Sequence, residues 1–225
     1  MSPFIETMLG GTEWMLLGDR GVYWHKHRAL FIADPHFGKT ATFRRHGLPV
    51  PRGSTDGTLA RISRMLRRTE ATRMVILGDM FHARSSLSSD VRHSLDQFFA
   101  THHNVECQLV RGNHDLRLGP LPSQWSLEVF ESQLVIDRVL LSHHPSAVPA
   151  DMDLMLCGHL HPSIRLDSAT DRLGKLPCFW LRDNCLVLPA IGQFTGTHVV
   201  GPRSGDRVWP VVDDELIEYP VVTCG

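Results

Sequence analysis

Five short polar clusters in this 225-residue chain combine side chains that bind divalent metal ions. Each cluster directly follows a run of apolar residues. Carboxylate oxygens, imidazole nitrogens and an amide oxygen form the mixed ligand set that two neighbouring divalent ions need. The sequence therefore predicts a binuclear metal centre. The clusters are Asp34-Pro35-His36, Gly78-Asp79, Gly112-Asn113-His114-Asp115, Ser142-His143-His144-Pro145 and Gly158-His159-Leu160-His161.

Taken singly, most of these clusters also have ordinary structural interpretations. Asp-x-His suits a loop or a helix cap, and Gly-Asp is common in turns. Gly-Asn-His-Asp is more specific, because three polar residues after one buried strand need partners. His159 and His161 share one side of an extended segment, since they are two residues apart. All five clusters together favour the metal centre, and their lack of cysteine argues against a closed structural zinc site.

The apolar runs that precede the clusters are predicted to be β-strands. Residues 29–33, 74–77 and 105–110 are short and apolar, as expected of strands that are buried on both faces. Apolar residues recur at helical spacing in 59–66 and 91–99, with Ser88 or Ser89 as the cap of the second helix. Because strand ends in an open α/β sheet meet at one edge, the five clusters can converge there.

The second half of the chain changes character and is predicted to be mostly strand. A hairpin over residues 14–25 begins the chain, and no long helical pattern follows residue 115. We therefore expect an α/β fold of two packed, mainly mixed β-sheets flanked by helices, in a single domain spanning residues 1–225. Strands are predicted near 127–136, 138–142, 153–157, 163–167, 178–182 and 185–189.

Composition limits the functions that need to be considered. The formal net charge of -1 argues against a surface covered in positive charge for non-specific nucleic-acid binding, although a local basic strip is compatible with it. The five cysteines are odd in number and lack CxxC spacing, which predicts reduced thiols. There is no signal-peptide pattern and no apolar stretch near the roughly 20 residues that a membrane span needs. We expect a cytoplasmic protein.

The order of the motifs DxH, GD, GNHD, HHP and GHxH over residues 34–161 resembles the calcineurin-like metallophosphoesterase superfamily. The resemblance implies that fold, with two divalent ions at strand ends. The mixed histidine and carboxylate ligands suit Mn²⁺, which we expect, with Fe or Zn as alternatives. His144 is expected to contact substrate or support a ligand, since the family pattern is His-x-Pro with the ligand first. By the same resemblance, the first ion would be held by Asp34, His36 and His161, the second by Asn113, His143 and His159, and both by a bridging Asp79.

A narrower resemblance extends over roughly residues 29–198, to the bacterial ligase-associated metallophosphoesterases. Pro35, Phe37 and Ile191 depart from the pattern of that group, and none of them is a predicted ligand. The resemblance implies a phosphodiesterase or endonuclease that acts on DNA in repair, with DNA ligase and helicase as partners. The similar segments are 33–39, 43–49, 77–82, 176–180 and 188–196.

The expected reaction assigns roles to two further residues. When bound, two divalent ions lower the pKa of a shared water for attack on phosphorus and bind the phosphate oxygens. His114 is the candidate general acid for the leaving oxygen. Asp115 is expected to hold the other ring nitrogen of His114 and so to fix its tautomer.

Several residues near the clusters are candidate substrate contacts. Lys39, Arg44 and Arg45 follow the first cluster and suit either a nucleic-acid backbone or a solvated helix face, while His82 and His144 neighbour predicted ligands. The arginines at 61, 64, 67 and 68 are expected on a solvent-facing helix surface. The tryptophans at 125, 180 and 209 are expected in the core or on a sheet face rather than as base-stacking platforms.

Three functions fit these observations. The first is a phosphodiesterase that acts on DNA in repair. The second is a hydrolase of small phosphate compounds, such as dinucleoside polyphosphates, cyclic nucleotides or a lipid-linked pyrophosphate, which the near-neutral charge favours. The third is a non-catalytic scaffold in a repair complex, which the complete ligand set argues against.

Overall fold

The computed structural model describes residues 1–40, 53–83, 86–117, 119–167, 172–193 and 195–220. Within these residues, strands form two mixed sheets. The first sheet runs in chain order, antiparallel from β1 to β4 and parallel from β4 to β7. Its strands are β1 (Phe4–Leu9), β2 (Thr12–Leu17), β3 (Gly21–Trp24), β4 (Ala29–Ile32), β5 (Arg73–Leu77), β6 (Glu106–Val110) and β7 (Leu127–Phe130).

The second sheet also contains a parallel centre. Its strands are β8 (Gln133–Ile136), β9 (Val139–Ser142), β10 (Leu154–Cys157), β11 (Pro162–Asp167), β12 (Arg172–Arg182), β13 (Cys185–Val187), β14 (His198–Val199), β15 (Arg207–Val212) and β16 (Glu215–Leu216). Strand β10 lies between β9 and β13 and is parallel to both. The order of the sheet is β14-β11-β12-β13-β10-β9-β8, and β15 pairs with β12 and β16. The two sheets thus place several strand ends at the same edge of the molecule.

Apolar side chains explain how the layers pack. The inner faces of both sheets share one core, which includes Phe31 and Val75 from the first sheet and Leu141 and Leu156 from the second. Helices α1 (Ser54–Thr69) and α2 (Ser89–Thr101) cover the outer face of the first sheet through a second core. The outer face of the second sheet carries a smaller apolar cluster that includes Met155, Cys157 and Val187.

The predicted fold class of two packed mixed sheets flanked by helices is confirmed. The predicted segment 127–136 is two strands in different sheets, because β7 pairs with β6 and β8 pairs with β9. Ser88 occupies the N-cap position of α2, but its hydroxyl makes no capping hydrogen bond. The four cysteines among the described residues are free thiols, as expected.

The arginines of α1 lie at the surface as predicted, since Arg64, Arg67 and Arg68 are exposed and Arg61 is half-buried, but three of them also form ion pairs. Arg64 donates to Asp19 at 2.5 Å, and Arg61 donates to Asp214 at 2.8 Å. Arg68 also lies 3.9 Å from Asp19, which is almost fully buried. A buried carboxylate needs such partners, so these arginines join α1 to the turns that follow β2 and β15.

In the described part of the chain, no helix combines the length and the apolar character needed to cross a membrane.

Candidate metal centre

The five polar clusters meet at one edge of the molecule. Three of them follow the parallel strands β4, β5 and β6 of the first sheet, and two follow β9 and β10 of the second. Neighbouring loops of each sheet are bonded to one another, because the Gly158 N–H donates to the His143 carbonyl at 3.1 Å and the His36 N–H donates to the Asp79 carbonyl at 3.1 Å. Short loops bonded to one another hold the side chains in fixed positions.

One group of metal-binding atoms is formed by Asp34, His36 and His161. His161 Nε2 lies 3.3 Å from Asp34 Oδ1 and 3.4 Å from His36 Nε2. Asp34 and His36 are buried, and His161 is half-buried. Asp34 Oδ1 is itself buried and accepts no hydrogen bond.

A second group surrounds His143. Its Nε2 lies 3.1 Å from Asn113 Oδ1, 3.2 Å from His159 Nδ1 and 3.5 Å from Asp79 Oδ1. Asp79 also reaches the first group, because its Oδ2 lies 3.9 Å from His36 Nε2. The Asp79 carboxylate therefore stands between the two groups.

Backbone carbonyls determine which ring nitrogens face these groups. His143 Nδ1 lies 3.0 Å from the Leu77 carbonyl, and His161 Nδ1 lies 3.0 Å from the Gly196 carbonyl. A carbonyl accepts only from N–H, so the neutral rings present the lone pair of Nε2 to the centre. In the neutral form of His143 and His161, these Nε2 lone pairs face the carboxylate or amide oxygens of their groups. A divalent cation in each group would satisfy them, and the donor set fits that ion.

Backbone N–H groups hold the carboxylates of Asp34 and Asp79 in position. The His159 N–H donates to Asp34 Oδ2, and the His114 N–H donates to Asp79 Oδ1, both at 2.9 Å. Five of the predicted ligands also have positive φ angles in the left-handed region, which non-glycine residues adopt at a cost. These residues are Asp34, His36, Asp79, His159 and His161. Strained backbone concentrated in this way is typical of functional sites.

Two motif glycines give the carboxylates room. A Cβ atom on Gly112 would collide with the Asp79 carboxylate and backbone nitrogen, and one on Gly158 would collide with the Asp34 carboxylate. The glycines of Gly-Asn-His-Asp and Gly-His-Leu-His are thus needed because backbone and carboxylate approach closely.

Burial and neighbouring groups set the charge of the central residues. Burial lowers the pKa of His36 to about 2, so its ring is neutral and can bind a cation. Burial raises the pKa of Asp79, but hydrogen bonding to His143 and the His114 N–H outweigh it and bring this pKa down to about 2. Burial lowers the pKa of His143, but the hydrogen bond and charges of Asp79 and Asp34 outweigh it and raise the pKa. A cation bound by His143 would compete with the proton that this raised pKa favours on the ring.

His114 lies at the rim of the centre, where its side chain is 38% exposed and its Nε2 is 3.8 Å from Asp79 Oδ2. Asp115 is placed differently from expectation. Its buried carboxylate accepts hydrogen bonds from the backbone N–H groups of Met80, Phe81 and Gly112. Among the described residues it makes no hydrogen bond to the His114 ring, because these main-chain donors occupy it. Asp115 therefore supports the loops that carry Asp79 and His114.

The structure brings three of the five candidate substrate contacts to the rim. The ring of His82 stacks on His114 with centroids 5.2 Å apart. Burial lowers the pKa of His82, and the charge of nearby Lys39 lowers that pKa further. His144 is exposed, and its ring centroid lies 4.2 Å from that of His159. Arg44 and Arg45 lie outside the described residues.

Sequence reasoning missed the two carbonyl groups that orient His143 and His161. Leu77 and Gly196 act through main-chain oxygen, which no side-chain motif reveals. The sequence also suggested His144 as a substrate contact or support rather than a ligand, which stays a prediction; its ring nitrogen lies within 4.8 Å of those of His143 and His159, so these three residues form a third group that could hold a metal ion. The adjacent pair His143-His144 was the only signal for that third group.

Comparison with known proteins identifies a family by sequence and similar folds by structure. Residues 27–163 match the family described as calcineurin-like phosphoesterase. The nuclease MPE of Pseudomonas putida is 32% identical, with a TM-score of 0.81 over 92% of this chain and 96% of that one. No curated protein sequence matches this chain.

Two more distant structures are also similar. Protein AQ665 of unknown function from Aquifex aeolicus is 21% identical over 59% of this chain and 78% of that one, with a TM-score of 0.43. The phosphoesterase Yfce from E. coli is 15% identical over 84% of this chain and 96% of that one, with a TM-score of 0.39. The family match covers more than half of the chain and includes all five clusters. This chain therefore belongs to the calcineurin-like phosphoesterase family and is a metal-dependent phosphoric ester hydrolase.

Proposed function

We propose that this enzyme is a phosphodiesterase that cleaves DNA. The observation that carries the proposal is the similarity to the Pseudomonas putida nuclease over 92% of this chain, at 32% identity and a TM-score of 0.81.

The roles of the predicted ligands follow from their grouping. Asp34, His36 and His161 would hold one ion, and Asn113, His143 and His159 would hold the other. Asp79 would bridge the two ions, which is supported by its oxygens lying 3.9 Å from His36 Nε2 and 3.5 Å from His143 Nε2. Mn²⁺ is the proposed metal, because oxygen and imidazole ligands suit it, with Fe and Zn as alternatives.

Bound divalent ions supply Lewis acidity toward phosphate oxygens and a more acidic water. The rim residues would act on the substrate itself. His114, partly exposed above Asp79, would donate a proton to the leaving oxygen. Lys39 and His82 would contact phosphate oxygens beside His114, and His144 would contact them beside His159.

The narrower sequence resemblance leads us to propose a role in DNA repair in the cytoplasm, alongside a DNA ligase and a helicase. The segments 33–39, 77–82 and 188–196 support it. All three also build the site, since the first two carry Asp34 and Asp79, and in the third Gly196 orients His161 and the Gly192 N–H donates to the Asp34 carbonyl at 3.2 Å.

The test uses metal-stripped protein to which Mn²⁺ is returned. The substrates are bis-p-nitrophenyl phosphate, p-nitrophenyl phosphate, and single- and double-stranded DNA. Asp79→Asn is the inactive variant, and Asp151→Asn is the matched control because Asp151 is exposed. We expect manganese-dependent cleavage of the diester and of DNA by the wild type and the control only.

A hydrolase of small phosphate compounds is the second candidate, favoured by the net charge of -1. Cleavage of the monoester without cleavage of either DNA form would support it and contradict the nuclease. Two bound ions with no activity on any substrate would support a scaffold instead.

A further inference from the structure

A cavity of about 510 Å³ lies on the outer face of the second sheet, beside the candidate metal centre. This volume falls within the range of pockets that hold small ligands. Its walls are formed by the loop 145–148, by Leu160 and by residues of β12 and β13, including Trp180 and Val187.

The cavity shares two loops with the metal centre. Residues 145–148 continue directly from His143 and His144, and Leu160 stands between His159 and His161. His144, which directly precedes this loop, has its ring centroid 4.2 Å from that of His159, so the start of the loop lies at the metal centre. A phosphate ester held at the centre would therefore have this cavity as the adjoining space for one of its substituents.

The side chains that line the cavity favour a flat, uncharged ring system. Trp180 presents an aromatic wall whose position is fixed, because its Nε1–H donates to Asp206 at 3.0 Å. Arg182 lies 4.5 Å from the Trp180 ring centroid and is itself bonded to Asp206. Asp183 also lines the cavity, and because Arg182 is already paired with Asp206, the Asp183 carboxylate disfavours an anionic group there. The remaining lining is mainly apolar.

We propose that this cavity binds the nucleobase next to the phosphate that is cleaved, an inference that rests on the proposed phosphodiesterase function. A base combines a flat π-face, which stacks on aromatic side chains without regard to sequence, with polar edges that suit groups such as Ser146 and Asp183 at the cavity wall. The Trp180 ring at the cavity wall would then stack on the base, a role beyond packing on the face of the sheet.

The test compares two diesters that have the same leaving group, thymidine 5′-(4-nitrophenyl phosphate) and methyl 4-nitrophenyl phosphate, each with added Mn²⁺. We expect kcat/KM to favour the nucleoside ester roughly tenfold or more, the size of one stacked base. In Ala147→Trp, where an exposed cavity residue becomes large, that ratio should fall toward one. Ala100→Trp, at an exposed position on α2, is the matched control and should keep the ratio.

Saturation-transfer NMR with thymidine and no added metal gives a readout that is independent of hydrolysis. Thymidine signals should appear with the wild type and Ala100→Trp and be lost with Ala147→Trp. Equal kcat/KM for the two esters in an active wild type, or thymidine signals unchanged in Ala147→Trp, would overturn the base pocket and leave the phosphodiesterase intact. Thymidine binding lost in Ala147→Trp, with neither ester hydrolysed, would support the pocket and contradict the phosphodiesterase.

Discussion

The main-chain N–H of His114 donates a hydrogen bond of 2.9 Å to Oδ1 of Asp79. The proposed general acid and the proposed bridging carboxylate are thus connected through backbone, not through the imidazole ring. The ring itself is at the rim, 38% exposed, with Nε2 3.8 Å from Asp79 Oδ2. The backbone of His114 supports the Asp79 carboxylate, whereas its ring would transfer the proton. A substitution of the side chain can therefore separate the two functions.

That separation predicts the behaviour of His114→Ala. The substitution keeps the N–H that holds Asp79, so metal content measured by atomic emission should stay at the wild-type value. It removes the proposed acid, so kcat for diester cleavage should fall by about 10²- to 10⁴-fold. His103→Ala, at an exposed histidine, is the control and should change neither quantity. Loss of metal from His114→Ala would mean that the ring is a ligand.

Metal should stabilise the wild type more than it stabilises Asp34→Asn, because the variant loses a ligand of one of the two proposed sites. Asp34 Oδ1 is buried without a hydrogen bond, 3.3 Å from His161 Nε2, and a cation would satisfy it. At Mn²⁺ concentrations 100-fold above Kd the gain in unfolding free energy should be about 2.7 kcal/mol per site. The asparagine amide can donate to His161 instead, so the metal-free variant should be at least as stable as the metal-free wild type. Urea unfolding with and without Mn²⁺ measures both effects, and an equal response of the two proteins to Mn²⁺ would contradict this assignment.

Gly112→Ala should damage both stability and metal binding. Its new Cβ would collide with the Asp79 carboxylate and with backbone, which cannot move as a flexible side chain would. We expect a loss of about 1–3 kcal/mol of unfolding free energy, and weaker Mn²⁺ binding in a calorimetric titration. Gly119→Ala is the matched control, because a Cβ there meets nothing within 4 Å. Equal stability of the two variants would show that the close approach is not needed.

The sequence allowed prediction of the groups that meet at the centre because their positions depend on local pattern. Apolar runs of strand length end at each cluster, and the parallel neighbours β4, β5 and β6 bring three of them to one edge. The carbonyl groups of Leu77 and Gly196 orient His143 and His161. Their roles could not be predicted, because every residue has a main-chain oxygen and no sequence motif marks these two. The partner of Asp115 was misjudged for the same reason, since its three donors are backbone N–H groups.

Two features of the first sheet and its connection to the second were not apparent from the local sequence pattern. The segment 127–136 looks uniform in sequence, yet β7 joins one sheet and β8 the other. The first strand, β1, was missed because Glu6 and Met8 are exposed and only the alternating residues Thr7 and Leu9 are buried. The base pocket brings together residues from 145 to 187 and has no local signature.

The ion network on α1 predicts a stability effect without a catalytic one. Asp19 is 4% exposed and accepts from Arg64, with Arg61 Nε at 3.8 Å and Arg68 at 3.9 Å. Exposed ion pairs contribute little, but removing a buried partner leaves charged groups unsatisfied. Asp19→Ala should therefore lower the unfolding free energy by about 1–3 kcal/mol in urea, and the loss should shrink at high salt. Asp151→Ala, at an exposed carboxylate, should have little effect.

Diester cleavage by Asp19→Ala should be unchanged, because the network joins α1 to the β2–β3 and β15–β16 turns. A fall in DNA binding without a fall in stability would instead mean that these arginines contact substrate.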